Sequence, residues 1–227
     1  MTAQKTVSRG DHTRERLVLA ALEVFGRAGF DAASTRAIAE VAGVNQALIG
    51  YHFGGKQGLY IGVFEHIIDQ MRRRMTPAVE QVTSRLAAAP QSTEERRELA
   101  LELLMGVFDT FTDMIGEQFA AGSTRLILRE QRDPTEAFQL LYDNVLAGML
   151  SVLTRLVAMA TGLDETSEAC RIRSVMMIGQ VLVFYVARGS TTRFLNWDGV
   201  DADNIAALKQ QFRLVLETQL SQGVATS

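Results

Sequence analysis

Two adjacent residues, Gln46 and Ala47, have the chemistry to read DNA bases. A glutamine amide can pair with adenine N6 and N7, and an alanine methyl can pack on a thymine methyl. Thr35, Arg36, Tyr51, His52 and Lys56 surround them in the chain. These are hydroxyls and cations of the kind that hold phosphates and set register without reading sequence. No set for covalent chemistry accompanies them. There is no serine-centred elbow, no phosphate-cradling glycine loop and no His-x-x-x-His metal pair, and His12, His52 and His66 fall on separate segments. The expectation is therefore a chain with no catalytic residues, no metal site and no cofactor.

The elements that must position these residues are short. Ser34 or Thr35 can cap a helix start, after which Ile38, Ala39 and Ala42 share one apolar face. Gly43 follows, where a left-handed residue ends a helix, and Val44 is the apolar plug after the turn. Asn45 can cap a second helix, Gln46 to Tyr51, with Leu48 and Ile49 inward and Gln46, Ala47 and Gly50 outward. Two short helices joined by a tight glycine turn make a helix-turn-helix, whose second helix enters the major groove. The same spacing also suits an ordinary helical hairpin in an all-α core.

The ordered residues Thr35, Ile38-Ala39, Ala42-Gly43-Val44, Tyr51-His52-Phe53, Lys56 and Leu59-Tyr60 resemble the signature of TetR-family transcriptional regulators. The likeness runs from about Arg14 to about Phe64. Two positions depart from it: Asn45 stands where many members carry serine, and Gly50 where many carry a tyrosine before Tyr51. Asparagine caps as well as serine; the glycine removes one of the usual aromatic contacts. Further on, Leu128-Arg129-Glu130-Gln131, Pro134-Thr135, Ala137-Phe138, Leu153-Thr154-Arg155-Leu156 and Ile178-Gly179-Gln180 with Phe184 resemble the effector domain of the CecR-type subgroup. The resemblance implies DNA binding, a small-molecule effector and a homodimer, with Tyr51 and Lys56 as the leading phosphate contacts.

Composition agrees with a helical intracellular protein. The 227 residues are 47% hydrophobic with three prolines, enough for a sizeable core, and a single cysteine, Cys170, excludes an internal disulfide framework. Cys170 reads as a small buried hydrophobe. Residues 1 to 10 lack an apolar signal core and are expected to be a mobile arm, whose Lys5 and Arg9 could reach a neighbouring groove or lie solvated. The longest apolar stretch, Ser174 to Ala187, is too short to span a bilayer, so the expected location is the cytoplasm, with no membrane partner. Net charge is −3, but residues 1–75 hold ten Lys and Arg against seven Asp and Glu, and residues 76–227 thirteen against nineteen. The positive excess sits where phosphates would be neutralised.

The expected architecture is all-α. Residues 1–57 form an N-terminal arm and a three-helix DNA-binding domain whose first helix runs from His12 to Ala28. Residues 58–227 form a helical effector-binding and dimerisation domain. Its long helices start at Lys56, about Thr93, about Ser123, Thr135, Thr166 and Asp201. A long helix is expected from Thr135 to about Thr161. Phe108, Phe111, Arg129, Phe138, Tyr142, Met149 and Phe184 supply aromatic and flexible surface for a largely apolar effector. Arg129 and Glu130 could hold each other or orient a ligand. The last two helices, apolar on more than one side, could complete a four-helix bundle with a second copy. The partners expected are double-stranded DNA at a palindromic operator, the effector, and the second copy. The rival reading is a helical small-molecule carrier whose helix-turn-helix is scaffold.

If Lys56 meets a phosphate, Lys56→Ala weakens binding to all DNA sequences alike and lowers the slope of log K against log salt by about one. A salt titration of DNA binding checks this, and an unchanged slope removes Lys56 from the footprint.

Overall fold

The computed structural model describes residues 9–116 and 121–221, and among these the chain is helical throughout without strands. The arm residue Lys5 and the side chains of Arg9, Met114 and Ile115 lie outside the described residues. The chain divides into two compact units, Met1–Arg72 with Phe119–Val145, and Arg73–Gln118 with Leu146–Ser227. The first unit is thus larger than the segment 1–57 expected to bind DNA.

In the first unit, α1 (Arg9–Ala32) buries Leu17, Ala21, Val24 and Phe25. Gly29 breaks it, at φ 79 and ψ 169, so the regular helix ends where the sequence places its stop. The short helices α2 (Thr35–Ala42) and α3 (Ala47–Phe53) follow, then α4 (Lys56–Ala87), whose first part, Lys56 to Arg72, belongs here. Leu59, Tyr60, Val63, Phe64, Ile67 and Ile68 of α4 are buried at helical spacing. Phe25, Phe30, Tyr60 and Phe64 form an aromatic cluster with ring centroids 4.9 to 5.8 Å apart.

Helix α6 (Ala121–Arg132) completes the unit against α1. The two backbones touch at Gly26 and Gly122, where a Cβ on Gly26 would lie 2.6 Å from the Gly122 Cα. Glu130, 1% exposed, closes the packing. Its carboxylate accepts from the Tyr60 hydroxyl at 2.9 Å, the Thr135 N–H at 2.9 Å and the Thr135 hydroxyl at 2.8 Å. Burial, followed by that bond to Glu130, pushes the Tyr60 phenol well above its ordinary range. Arg129 does not pair with Glu130; its guanidinium donates to Asp31 at 2.7 Å. Of the two roles open to this pair, holding each other is excluded by this geometry. Consecutive residues on a helix point about 100° apart, so the two side chains diverge to different partners.

The helix expected from Thr135 to about Thr161 is present as one helical stretch, Glu136–Thr161, with a π turn inside it. It comprises α7 (Glu136–Leu141), a π turn (Tyr142–Leu146) and α8 (Ala147–Thr161). Thr135 caps it by accepting from the Ala137 N–H. Arg72 donates to the Asn144 carbonyl at 3.1 Å and to its side-chain oxygen at 2.8 Å, while the Asn144 amide takes the Leu140 carbonyl. One carbonyl of the turn and one of α7 thus have side-chain partners beside the backbone ladder where the helix widens.

The second unit contains the remainder of α4, α5 (Thr93–Gly116), α8, α9 (Glu168–Val186), α10 (Arg188–Leu195) and α11 (Ala202–Ser221). Its core gathers Val82, Leu104, Phe108, Leu156, Val157, Met177 and Leu216. Cys170 is fully buried there, and burial raises its thiol above the ordinary range, which suits an inert residue. Helix α10 was not legible in the sequence: Gly189, Ser190, Thr191 and Thr192 are poor helix formers and the helix buries no residue. Asn196 stops it in the left-handed region at φ 55.

Two described stretches, Glu136–Thr161 and Glu168–Val186, are long and apolar enough by length and composition to cross a membrane. The second is nineteen residues, longer than the apolar stretch read from the sequence. Leu153, Leu156 and Val157 of one and Cys170, Met177 and Val181 of the other are buried in the unit's core.

The Glu130 network makes a stability prediction. Tyr60→Phe should cost about 1–3 kcal/mol by removing a hydrogen bond to a charged group. Glu130→Ala should cost more, since it strands two Thr135 donors as well as the phenol. Urea unfolding of the two variants checks the order.

Candidate nucleic-acid interface and effector cleft

The turn between α2 and α3 is held at each backbone group. Ser34, extended at φ −108 and ψ 146, accepts from the Ala37 N–H at 3.1 Å and so is the cap. Gly43 is left-handed at φ 61, which lets its N–H reach the Glu40 carbonyl and the Val44 N–H the Ala39 carbonyl, both at 3.0 Å. Arg16 of α1 donates to the freed Ala42 carbonyl at 2.6 Å. Arg16 carried no signal in the sequence, because its role depends on how α1 crosses α2. Asn45 accepts from the Ala47 N–H at 2.8 Å, as its type and place implied. Ile49 is buried and Leu48 half-buried, which anchors α3 from beneath.

Gln46, Ala47, Gly50 and Tyr51 share the exposed side of this helix, and Tyr51 is 82% exposed. The remaining candidates divide. Arg36 is exposed, and His52 is half-buried with its ring edge-on to Tyr51 at 4.9 Å. Gln46 donates to the Thr35 hydroxyl at 2.8 Å, so a base-reading candidate and a phosphate candidate are bonded to each other. Lys56 donates to the Asp31 carbonyl at 3.2 Å and lies over the Phe30 ring at 4.6 Å. Its ammonium therefore ties α4 to the end of α1 and keeps further N–H donors.

The second unit holds a cleft of about 40 Å³ between α4, α5 and α8. Met75, Val79, Val107, Phe111, Met149 and Leu153 are among its lining residues, and Thr110 is the one polar side chain there. The Thr110 hydroxyl donates to the Gly106 carbonyl, so the wall offers a ligand almost no polar anchor. A smaller neighbouring cleft shares Val107, Phe111 and Leu153 and adds Phe108, Ile178 and Val181. Of the residues expected around an effector, Phe111 and Met149 line the first cleft and Phe108 the second. Phe184 lines neither and meets Phe212 edge-on at 6.0 Å. Arg129, Phe138 and Tyr142 belong to the first unit, where Arg129 pairs with Asp31 and the other two rings lie 5.9 Å apart. Met75, Val79 and Val107 escaped the sequence reading because an aliphatic stripe facing a cleft looks the same as one facing a core.

Comparison with known proteins bears on both halves. Residues 17–63 match the family model described as bacterial regulatory proteins, tetR family, and residues 100–221 match that of the HTH-type transcriptional dual regulator CecR, C-terminal domain. The HTH-type transcriptional dual regulator CecR of Shigella flexneri is 30% identical over 202 residues, covering 89% of this chain and 88% of the relative. Among solved structures, AibR in complex with isovaleryl coenzyme A and operator DNA has a TM-score of 0.57 at 16% identity, covering 91% of this chain and 97% of that one. The regulator FadR from Bacillus subtilis in complex with stearoyl-CoA has a TM-score of 0.55 at 20% identity, with coverage of 89% and 96%. The exposed second helix of a well-capped helix-turn-helix and these matches along most of the sequence lead to one conclusion: the chain belongs to the TetR family of DNA-binding transcriptional regulators, with a C-terminal domain of the CecR type.

Proposed function

We propose that the protein is a repressor that binds a palindromic operator as a homodimer and leaves it when a small, largely apolar molecule occupies the cleft of the second unit. The observation that carries DNA recognition is the open face of α3, where Gln46, Ala47 and Tyr51 stand exposed on a helix whose other side is anchored by Ile49. In this reading Gln46 and Ala47 meet base edges. Thr35, Arg36, Tyr51, His52 and Lys56 meet phosphates, and Asn45 holds the helix start. Reading a base requires Gln46 to keep or exchange its bond to Thr35, so the pair adjusts as one. Residues 1–57 carry DNA binding, and residues 58–227 carry the effector and the dimer contact. The site of action is the cytoplasm, where the DNA is, and no catalysis is part of the role.

Apolar exposure supports dimerisation through α9 and α11. Ile172, Val175, Met176 and Val186 of α9 are each more than half exposed, as is Leu214 of α11. Ile172, Val175 and Met176 recur at helical spacing on α9, and an apolar stripe of this kind is what a four-helix contact between two copies buries. The two recognition helices would then meet half-sites about 34–36 Å apart.

The cleft supports an effector of matching chemistry. Its 40 Å³ is small beside the roughly 300–1,000 Å³ of drug-sized ligand sites, so binding must widen it. Met75 and Met149, unbranched and flexible, are suited to yield. A ligand that prefers the widened state shifts the population toward it. Full release from 99:1 to 1:99 occupancy asks for about 5.5 kcal/mol of preference. Two proteins of the same fold, AibR and FadR, are seen in complex with isovaleryl coenzyme A and stearoyl-CoA, whose acyl groups, though not their charged coenzyme A part, match the chemistry of this wall.

Selection of genomic DNA fragments by the purified protein at physiological salt should recover a palindrome with half-sites near one helical turn. A Tyr51→Ala, Lys56→Ala double variant should recover none. Folded wild-type protein that enriches nothing favours the carrier reading instead. At the proposed dimer face, Met176→Glu should weaken self-association by at least about 30-fold, the scale of one interface hot spot. Light scattering across a dilution series reads this, and an unchanged dimer places the contact elsewhere.

A further inference from the structure

Helix α10 is formed with little inside the chain to hold it. Its eight residues include Gly189, Ser190, Thr191 and Thr192, all poor helix formers, and a helix so short is marginal in water. None of its residues is buried. Thr191 and Thr192 turn their hydroxyls back to the Ala187 and Arg188 carbonyls. Its stop is local: Asn196 is left-handed, and the Trp197 N–H donates to the Thr192 carbonyl at 2.8 Å. Phe194 meanwhile stands 84% exposed, more than any other large apolar side chain among the described residues.

A single exposed apolar residue needs no explanation, but Phe194 does not stand alone. Ile172, Val175, Met176, Leu182, Val183 and Val186 are all exposed and fall on one side of α9 at helical spacing. An apolar stripe therefore runs along most of that helix. It ends at Val186, two residues before α10 begins, and α10 packs against α9.

We propose that α10 is part of the dimer contact and that Phe194 is its anchor, seated against the second copy of this chain. This rests on the reading that two copies meet through α9 and α11. A partner that covers the α9 stripe as far as Val186 reaches α10 as well, and the Phe194 ring carries the apolar area past the end of α9. Helix α10 then gains from the partner the burial that its own chain does not supply. In a two-fold dimer each copy makes this contact once.

Sedimentation velocity across a dilution series compares the full-length wild type with Phe194→Ser and with Met176→Glu. Phe194→Ser should weaken self-association at least about tenfold, as truncation of an interface aromatic does. Added to the monomeric Met176→Glu protein, it should leave the melting midpoint unchanged, because the ring is exposed in the single chain. Hydrogen exchange gives an independent readout. Amides of residues 190–196 should exchange at least about tenfold faster in the Met176→Glu monomer than in the wild-type dimer, while those of α1 exchange alike in both. A Phe194→Ser protein that dimerises as the wild type does, beside a monomeric Met176→Glu, overturns the role of α10 and leaves the α9–α11 contact standing. That is also the outcome if the ring meets a different protein or a lipid surface. Equal exchange of α10 in monomer and dimer overturns it too, as does a lowered melting midpoint in the doubly substituted monomer, which would show an internal role for the ring. If neither substitution changes the dimer, the α9–α11 reading falls and this inference falls with it.

Discussion

A helix of seven residues does not hold its own shape in water, and α3 has only seven. Its position is imposed from both ends and from below. The left-handed turn at Gly43 and the guanidinium of Arg16 fix its entry, the glycine pair at Gly54 and Gly55 fixes its exit, and Ile49 anchors its underside. Gly58 then allows α4 to start directly against the Phe53 carbonyl. Every side chain on the exposed face of α3 inherits its direction from these contacts. Lys56 shows how tightly interface and scaffold are joined, since the same ammonium that suits a phosphate also bonds Asp31 and covers Phe30.

The Leu128-Arg129-Glu130-Gln131 segment has a role that its chemistry alone does not announce. A buried carboxylate is costly unless its oxygens are satisfied. Glu130 meets that condition with three donors from Tyr60 and Thr135, and in doing so joins α4 to the α6–α7 junction. Arg129 secures the neighbouring face to Asp31. Residues that resembled an effector-domain motif thus hold together the unit that contains the helix-turn-helix. This junction and the helix-turn-helix are therefore parts of one packed unit.

The cleft in the second unit differs in kind. Its wall is aliphatic, aromatic and methionine, with the single hydroxyl already bonded within its own helix. Such a wall selects by shape and hydrophobic area and does little to orient a polar ligand. Shared residues Val107, Phe111 and Leu153 connect it to the smaller cleft, so a repacking of α5 against α8 would be felt in both.

Much of the DNA-binding half was legible because its signals are local. Ser34, Gly43 and Asn45 act on backbone groups within three residues, and the apolar faces of α2 and α4 repeat at helical spacing. The all-α class and the exposed face of α3 followed from those residue types alone. The partners of Arg16, Lys56, Arg129 and Glu130, the widening at Asn144 and helix α10 did not. Each is decided by a contact from a segment distant in sequence, or by packing that leaves no periodic trace. An aliphatic residue also reads alike whether it faces a core or a cleft, so Phe111 and Met149 could be named from type while Met75, Val79 and Val107 could not. By itself the sequence determined where helices start and stop and which face of each is apolar, because capping and periodicity act over a few residues. Only the tertiary structure decided which side chains meet, because those pairings depend on how distant helices cross.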